Sequence, residues 1–235
     1  MLPKILIFTD GAARGNPGPA GWGAVIVHDK EVKEIGGFAS NSTNNQMELT
    51  GAIKALKEVE DKDLPIELFT DSSYLINGIT KWVSAWRMNE WKTKAKKEVL
   101  NRELWEQLAE LVENKNIEWK YLGGHSGIVG NERCDQIATE FADGKRPVLF
   151  SGPLDKYGLD ILNFNLDEEK AAQKAAARSH QRAAAYSYVS LVNGKIKTHK
   201  TWADCEKRVK GKSGAKFKKA TSKEDEKEII KEFSK

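Results

Sequence analysis

Two short apolar runs, each closed by a Thr-Asp pair, constrain this chain most. Ile5-Leu6-Ile7-Phe8 leads into Thr9-Asp10-Gly11, and Ile66-Glu67-Leu68-Phe69 leads into Thr70-Asp71-Ser72. Short apolar runs bounded by turn residues read as buried strands. Between them, Thr43 or Asn44 fits as the cap of a helix whose apolar set is Met47, Leu49, Ile53, Leu56 and Val59. Strand, crossover helix and strand can then lie parallel in one sheet. Gly11 to Gly23 reads as a glycine- and proline-rich connection, and 22–28 and 33–40 as two further strands. A helix from Ser72 or Ser73 to about 79, a tryptophan- and lysine-rich helical stretch over 81–97, and a helix over 101–114 follow. A strand from Ile117 to Leu122 and a helix over 131–142 complete the series. This order predicts an α/β sheet that mixes an antiparallel meander with parallel strands.

Ligand sites in open α/β sheets form at the carboxyl ends of strands, where Asp10 and Asp71 would meet. Glu48 rides the crossover helix, and Asp135 follows Gly130-Asn131-Glu132-Arg133-Cys134. Carboxylates at the ends of buried strands are costly unless something pairs with them, and a hard divalent cation prefers oxygen ligands. Phosphodiester hydrolysis can use two cations roughly 3.5–4 Å apart, which needs several carboxylates. One arbitrary Asp is usually a helix cap or a surface charge; four in these frames point to a metal-dependent enzyme acting on phosphates. Gly11 to Gly23 holds no Gly-x-Gly-x-x-Gly, and Pro17 and Pro19 would break a helix start, so a dinucleotide loop is excluded. His125 lies in Gly123-Gly124-His125-Ser126-Gly127, a loop after a strand. Loop histidines are commonly solvated bystanders, yet an imidazole titrating near neutrality is suited to moving protons.

Residues 1–143 carry 17 Lys and Arg against 22 Asp and Glu, whereas 186–235 carry 14 against 7. An acidic body with a basic tail implies that the tail grips a polyanion. Between them, 144–185 reads as a connector, part coil with Pro147, Gly152, Pro153 and Gly158, and part alanine-rich helix over 167–185. The tail, 186–235, reads as a small α/β module. Tyr186 to Val192 is a strand, Asn193-Gly194 a hairpin turn, Lys195 to Lys200 the return, and Trp202 to Val209 a helix. A third strand over 215–219 and a helix over 222–233 follow. No apolar run approaches the roughly 18 residues of a membrane span. The N-terminus runs straight into a strand pattern, so no signal peptide is expected. Cys134 and Cys205 fall in different regions, so a reducing cytoplasm is expected and a disulfide is not. Nothing calls for a dimer, and a monomer is expected.

Thr9-Asp10-Gly11 with Gly15-Asn16-Pro17-Gly18-Pro19, then Thr43-Asn44-Asn45, Met47-Glu48, Thr70-Asp71-Ser72, Gly124-His125-Ser126-Gly127 and Asn131-Glu132-Arg133-Cys134-Asp135 resemble type 1 ribonuclease H over almost all of 1–143. That resemblance implies a five-stranded mixed sheet flanked by helices, and Mg²⁺-dependent hydrolysis of the RNA strand of RNA–DNA hybrids, leaving 5′-phosphate and 3′-hydroxyl ends. It implies Asp10, Glu48, Asp71 and Asp135 as the acids holding two Mg²⁺ ions, with Mn²⁺ as a substitute. His125 would assist in proton transfer or product release. Asn16, Asn44, Asn45 and Gln46 offer amides to the wide, shallow minor groove of an A-like hybrid. Gln46 departs from the family, where arginine is common. In 81–97, six cations (Lys81, Arg87, Lys92, Lys94, Lys96 and Lys97) stand against one anion, Glu90, interleaved with Trp82, Trp86 and Trp91. This matches the family's basic protrusion, which holds DNA phosphates; Trp82 and Trp86, one turn apart, can also pack inward.

The tail resembles a hybrid-binding domain of the viroplasmin-like type. Tyr188, Thr201-Trp202 with Cys205, and Gly214-Ala215-Lys216-Phe217-Lys218-Lys219 carry that likeness. It implies Tyr188 and Trp202 against DNA sugars and Lys218 and Lys219 on phosphates. C-terminal placement departs from the usual order. Two rivals to a hybrid-cutting enzyme are a hybrid-binding protein that no longer cuts, and a DNA-strand nuclease on the same fold. All four acids are present, against the first; the amide-rich segment and the basic stretch favour hybrids over the second.

Overall fold

The computed structural model describes residues 4–59, 64–123, 127–164, 185–212 and 214–234. His125 and most of the expected 167–185 helix lie outside the described residues. The chain divides into two compact units, Met1–Ala172 and Gln173–Lys235. Among the described residues no helix is long and apolar enough to cross a membrane.

The first unit is built on β1 (Ile5–Ala13), β2 (Gly18–His28), β3 (Glu31–Ser42), β4 (Ile66–Thr70), β5 (Ile117–Tyr121) and β6 (Ser151–Pro153). Their order is β5-β4-β1-β2-β3-β6. β1, β2 and β3 form an antiparallel meander, and β4 and β5 add in parallel on the other side of β1. The mixed sheet is as expected, with one strand more than five. β6 pairs antiparallel with β3 through Val32 and Gly152, so the expected connector begins as part of the sheet.

Along β1 the side chains alternate between two cores. Ile5 and Ile7 pack with Leu49, Ile53 and Leu56 of α1 (Asn44–Glu58) and Trp105 and Leu108 of α4 (Arg102–Val112). Leu6 and Phe8 face Val25, Val27, Ile128 and Cys134, the last on α5 (Val129–Ala142), together with Tyr157 and Ile161. Both faces are therefore covered, which a sheet with central parallel strands requires. Between β4 and α4 the chain forms α2 (Ser73–Asn77), one π turn (Gly78–Trp82) and α3 (Val83–Met88).

The expected helix over 81–97 stops at Met88. Glu90 and Trp91 take left-handed backbone, φ 51° and 59°, and the Trp91 N–H donates back to the Trp86 carbonyl at 2.7 Å. That reversal returns Trp91 to the core, a tertiary reward no helix propensity records. Residues 92–98 then form a small loop closed by pairing of Lys92 with Glu98.

The second unit is a three-stranded antiparallel sheet, order β8-β7-β9, of β7 (Ser187–Val192), β8 (Lys195–His199) and β9 (Lys216–Ala220). Asn193, φ 50°, and Gly194, φ 72°, make the hairpin turn. α6 (Trp202–Val209) packs Cys205 and Val209 against Val192 on one face, and α7 (Lys223–Phe233) packs Ile229 against Val189 on the other. Cys134 and Cys205 are both free and buried.

Candidate active site

Asp10 is the hub of the acidic site. It lies within β1, beside Gly23 of β2 and three residues before the strand ends at Ala13 rather than at the expected strand tip, and the parallel pairing of Phe8 with Phe69 brings it level with Asp71, which follows β4. Two glycines bring the helices in. A Cβ on Gly11 would stand 2.5 Å from the Glu48 backbone nitrogen, so only a bare α-carbon lets α1 lie this close. A Cβ on Gly23 would stand 2.6 Å from the Cys134 carbonyl oxygen, so β2 and α5 meet beside Asp135. The glycines read as a loop are thus largely strand residues against which helices are seated.

Ser72, next to Asp71, holds Glu48. Its hydroxyl donates to Glu48 Oε2 and accepts the Leu75 N–H at 3.0 Å, capping α2 directly after Asp71. Asp10 is only 7 % exposed. Its carboxyl accepts the Gly11 N–H at 2.7 Å. Burial, then the nearby charges of Asp71 and Asp135, push the Asp10 carboxyl well above the usual carboxylate range; Glu48 adds to this and the Gly11 hydrogen bond opposes it. The other three acids therefore all bear on Asp10.

Their donors are all carboxylate oxygens, the set a hard cation takes. Among the described residues no three His, Cys, Asp or Glu side chains stand as a ready-made coordination cluster. Mg²⁺ keeps several waters and binds through one or two carboxylates plus substrate phosphate, so an open cluster of acids fits it better than a closed cage would. The thiol of Cys134 is pushed well up by burial and is no nucleophile.

The amide residues gather at the start of α1. The Asn44 N–H donates to Asn16 Oδ1 at 3.2 Å, tying the β1–β2 turn to the helix. Asn16 and Asn44 are exposed and Asn45 half-buried. Gln46 is partly spent: Oε1 accepts the Thr43 N–H at 3.1 Å and the Ser42 hydroxyl at 2.9 Å, in a capping box. Only its amide nitrogen remains for a groove.

The basic stretch divides into packing and charge. Trp91 is buried and Trp86 half-buried, their rings 6.5 Å apart, with Trp86 also on Trp105 at 5.6 Å. Trp91 is accordingly core and offers no face to a ligand, contrary to the expectation that it binds the hybrid. Trp82 is 36 % exposed. Arg87 is held by Glu113 at 2.5 Å and Lys92 by Glu90 at 2.8 Å. Lys94, Lys96 and Lys97 are exposed on the loop.

In the second unit Trp202 stands 5.6 Å from Tyr188 and 5.0 Å from Phe217, ring to ring. Phe217, 50 % exposed, completes a strip that the Tyr188 and Trp202 expectation left one ring short. Its signal was an aromatic between lysines in a strand. Directly paired residues share a face, so Lys219, opposite Tyr188, lies with the strip. Lys218, opposite Val189, lies on the other face, where it meets both Glu232 oxygens at 2.6 and 2.7 Å. The two lysines expected to act together are therefore separated by the pleat.

The RNase H family model matches residues 3–143. A ribonuclease H of Pseudomonas savastanoi pv. phaseolicola is 46% identical over 148 residues, covering 63% of this chain and 99% of the relative. One of Cyanothece sp. is 49% identical over 145 residues, covering 61% and 92%. Among solved structures, LC9-RNase H1, a type 1 RNase H with the type 2 active-site motif, matches with a TM-score of 0.58 at 24% identity, covering 68% of this chain and 82% of that one. That likeness supports the fold.

Proposed function

The chain belongs to the ribonuclease H family, and on that footing we propose that Asp10, Glu48, Asp71 and Asp135 hold two Mg²⁺ ions, with Mn²⁺ able to replace them. Its activity is endonucleolytic cleavage of RNA in RNA–DNA hybrids. The observation that carries the metal assignment is Asp10, buried in β1 just past its parallel pairing with β4, with three further carboxylates acting on it. When bound, the cations supply an activated water and charge neutralisation at the scissile phosphate.

The protein's own groups do the rest. Glu48 is held by the Ser72 hydroxyl and Asp10 by the Gly11 N–H, which limits the orientations their carboxylates can take. Asn16 and Asn44, both exposed, and half-buried Asn45 offer polar groups to the wide, shallow minor groove of an A-like hybrid. Lys94, Lys96 and Lys97 take phosphates of the DNA strand. His125 moves the proton of the leaving group or eases product release. The products carry 5′-phosphate and 3′-hydroxyl ends. The tail grips the same hybrid through Tyr188, Trp202, Phe217 and Lys219, which raises the local concentration of substrate.

The test is cleavage of matched single-stranded RNA, duplex RNA, duplex DNA and hybrid, with and without Mg²⁺. Only hybrid with Mg²⁺ should be cut, and Asp71→Asn should lose at least about a hundredfold in rate, the scale of one lost electrostatic group. Hybrid affinity should stay near wild type. Cleavage by Asp71→Asn at the full rate would refute the metal assignment.

A further inference from the structure

Residues 148–164 form a strap across the first unit, and its polar centre is Glu34 of β3. Glu34 is 4 % exposed, and its carboxylate accepts four hydrogen bonds. Arg133 of α5 gives two, Nε to Oε1 at 2.7 Å and an Nη2 hydrogen to Oε2 at 2.8 Å. The strap gives the others: the Tyr157 hydroxyl to Oε1 at 2.6 Å and the Phe150 N–H to Oε2 at 2.9 Å. Arg133 Nη2 also donates to the strap carbonyl of Val148 at 3.1 Å. A carboxylate has about four lone-pair sites, so this one is filled, half of it by the strap. Beyond, Ile161 is fully buried beside Leu6 and Phe8. The ring of Phe164 lies 5.2 Å from Phe69 and 6.0 Å from Phe8, each two residues before an active-site aspartate.

The seating of α5 needs more than apolar contact. The bare surface at Gly23 sets how closely the helix approaches β2, but such contact is non-directional and permits sliding. A bidentate Arg–carboxylate pair fixes direction and register. Arg133 stands two residues before Asp135 on the same helix. The family match ends at 143, before every strap residue.

We propose that the strap is a positioning element of the active site, with Tyr157 and Glu34 holding Arg133, and through α5 the Asp135 carboxylate, in the register that metal binding requires. This rests on Asp135 being one of the metal-holding acids. Tyr157 touches no reacting atom; it acts through Glu34 and Arg133.

The experiment uses the full chain with Tyr157→Phe, which keeps the ring in the core and removes one hydroxyl. Mg²⁺ binding is measured by calorimetry without hybrid, and Mg²⁺ dependence of cleavage at saturating hybrid. Both midpoints should rise together, by a few-fold to about tenfold, toward the range seen when groups supporting metal ligands are lost. KM for hybrid should stay unchanged, and backbone amide resonances over 131–136 should shift. Glu34→Gln should move the midpoints further in the same direction. A folded Tyr157→Phe protein with wild-type Mg²⁺ midpoints would overturn the proposal. Asp135→Asn separates the two levels: full activity there would remove the assignment beneath the inference, whereas its inactivity beside an unshifted Tyr157→Phe would remove the inference alone.

Discussion

Asp10 shows how a side chain proposed for the chemistry can be unfavourable for the fold. Burial and like charges push its carboxyl above the ordinary value of 3.8. Below that value both folded and unfolded chains hold the proton. As pH rises through the raised folded value, the unfolded chain has already released its proton, so stability falls and stays lower above it. Asp10→Asn keeps an oxygen for the Gly11 N–H and removes the charge. In chelator at pH 8 the Asn variant should melt several degrees above wild type; for a chain of this size roughly 2–4 °C corresponds to 1 kcal/mol. The gap should narrow at pH 5. Adding Mg²⁺ should raise wild type toward the variant, because a ligand stabilises only the state that binds it. Thermal unfolding at the two pH values, with and without Mg²⁺, checks this; a variant that melts no higher than wild type in chelator would show that the acids do not repel.

At the scale of elements, the seating of helices on strands decides the site. Gly23→Ala would place a methyl carbon 2.6 Å from the Cys134 carbonyl oxygen and 2.8 Å from Ile137 Cβ. Either α5 lifts or β2 bends, and overpacking of this kind costs roughly 1–3 kcal/mol. Urea unfolding should report that loss. Cleavage should fall as well, because Asp135 moves with the helix; a stability loss with unchanged cleavage would mean that α5 pivots elsewhere. The same glycine explains what the sequence could and could not tell. Apolar runs leading into Thr-Asp announce strands that carry acids, and those were legible, although β1 runs on past Asp10 to Ala13. A glycine has no pattern of its own: it serves a turn or a close approach equally well, and only the partner helix decides. β6 is Ser151-Gly152-Pro153, three residues without periodicity, so its place on β3 was invisible. The helix end at Met88 depends on where Trp91 can be buried, which is a tertiary matter. Lys218 and Lys219 are the opposite case, since a period of two in a strand already sends neighbours to opposite faces.

The whole molecule joins an acidic catalytic body to a basic module with its own sheet and two small cores. Fifty residues bury little apolar surface, so the module's stability rests on details such as the Lys218–Glu232 pair and the caps Thr201 and Ser222. The hybrid binding proposed for the module should divide cleanly between its faces. Trp202→Ala and Phe217→Ala remove stacking surface and should weaken hybrid binding by about 1–3 kcal/mol each at constant salt. Lys219→Ala should lower the dependence of log affinity on log salt by about one phosphate contact. Lys218→Ala should leave that slope unchanged, because Lys218 lies on the opposite face, where it meets Glu232; its effect should be a lower melting point of the module. Deleting 185–235 should remove all of the module's share of the slope, with Mg²⁺-dependent cutting of short hybrids retained by the first unit. Binding isotherms from 50 to 200 mM salt on one hybrid would read every arm. Equal slopes for the full chain and the truncated one would mean that the aromatic strip serves some ligand other than the hybrid's phosphate backbone.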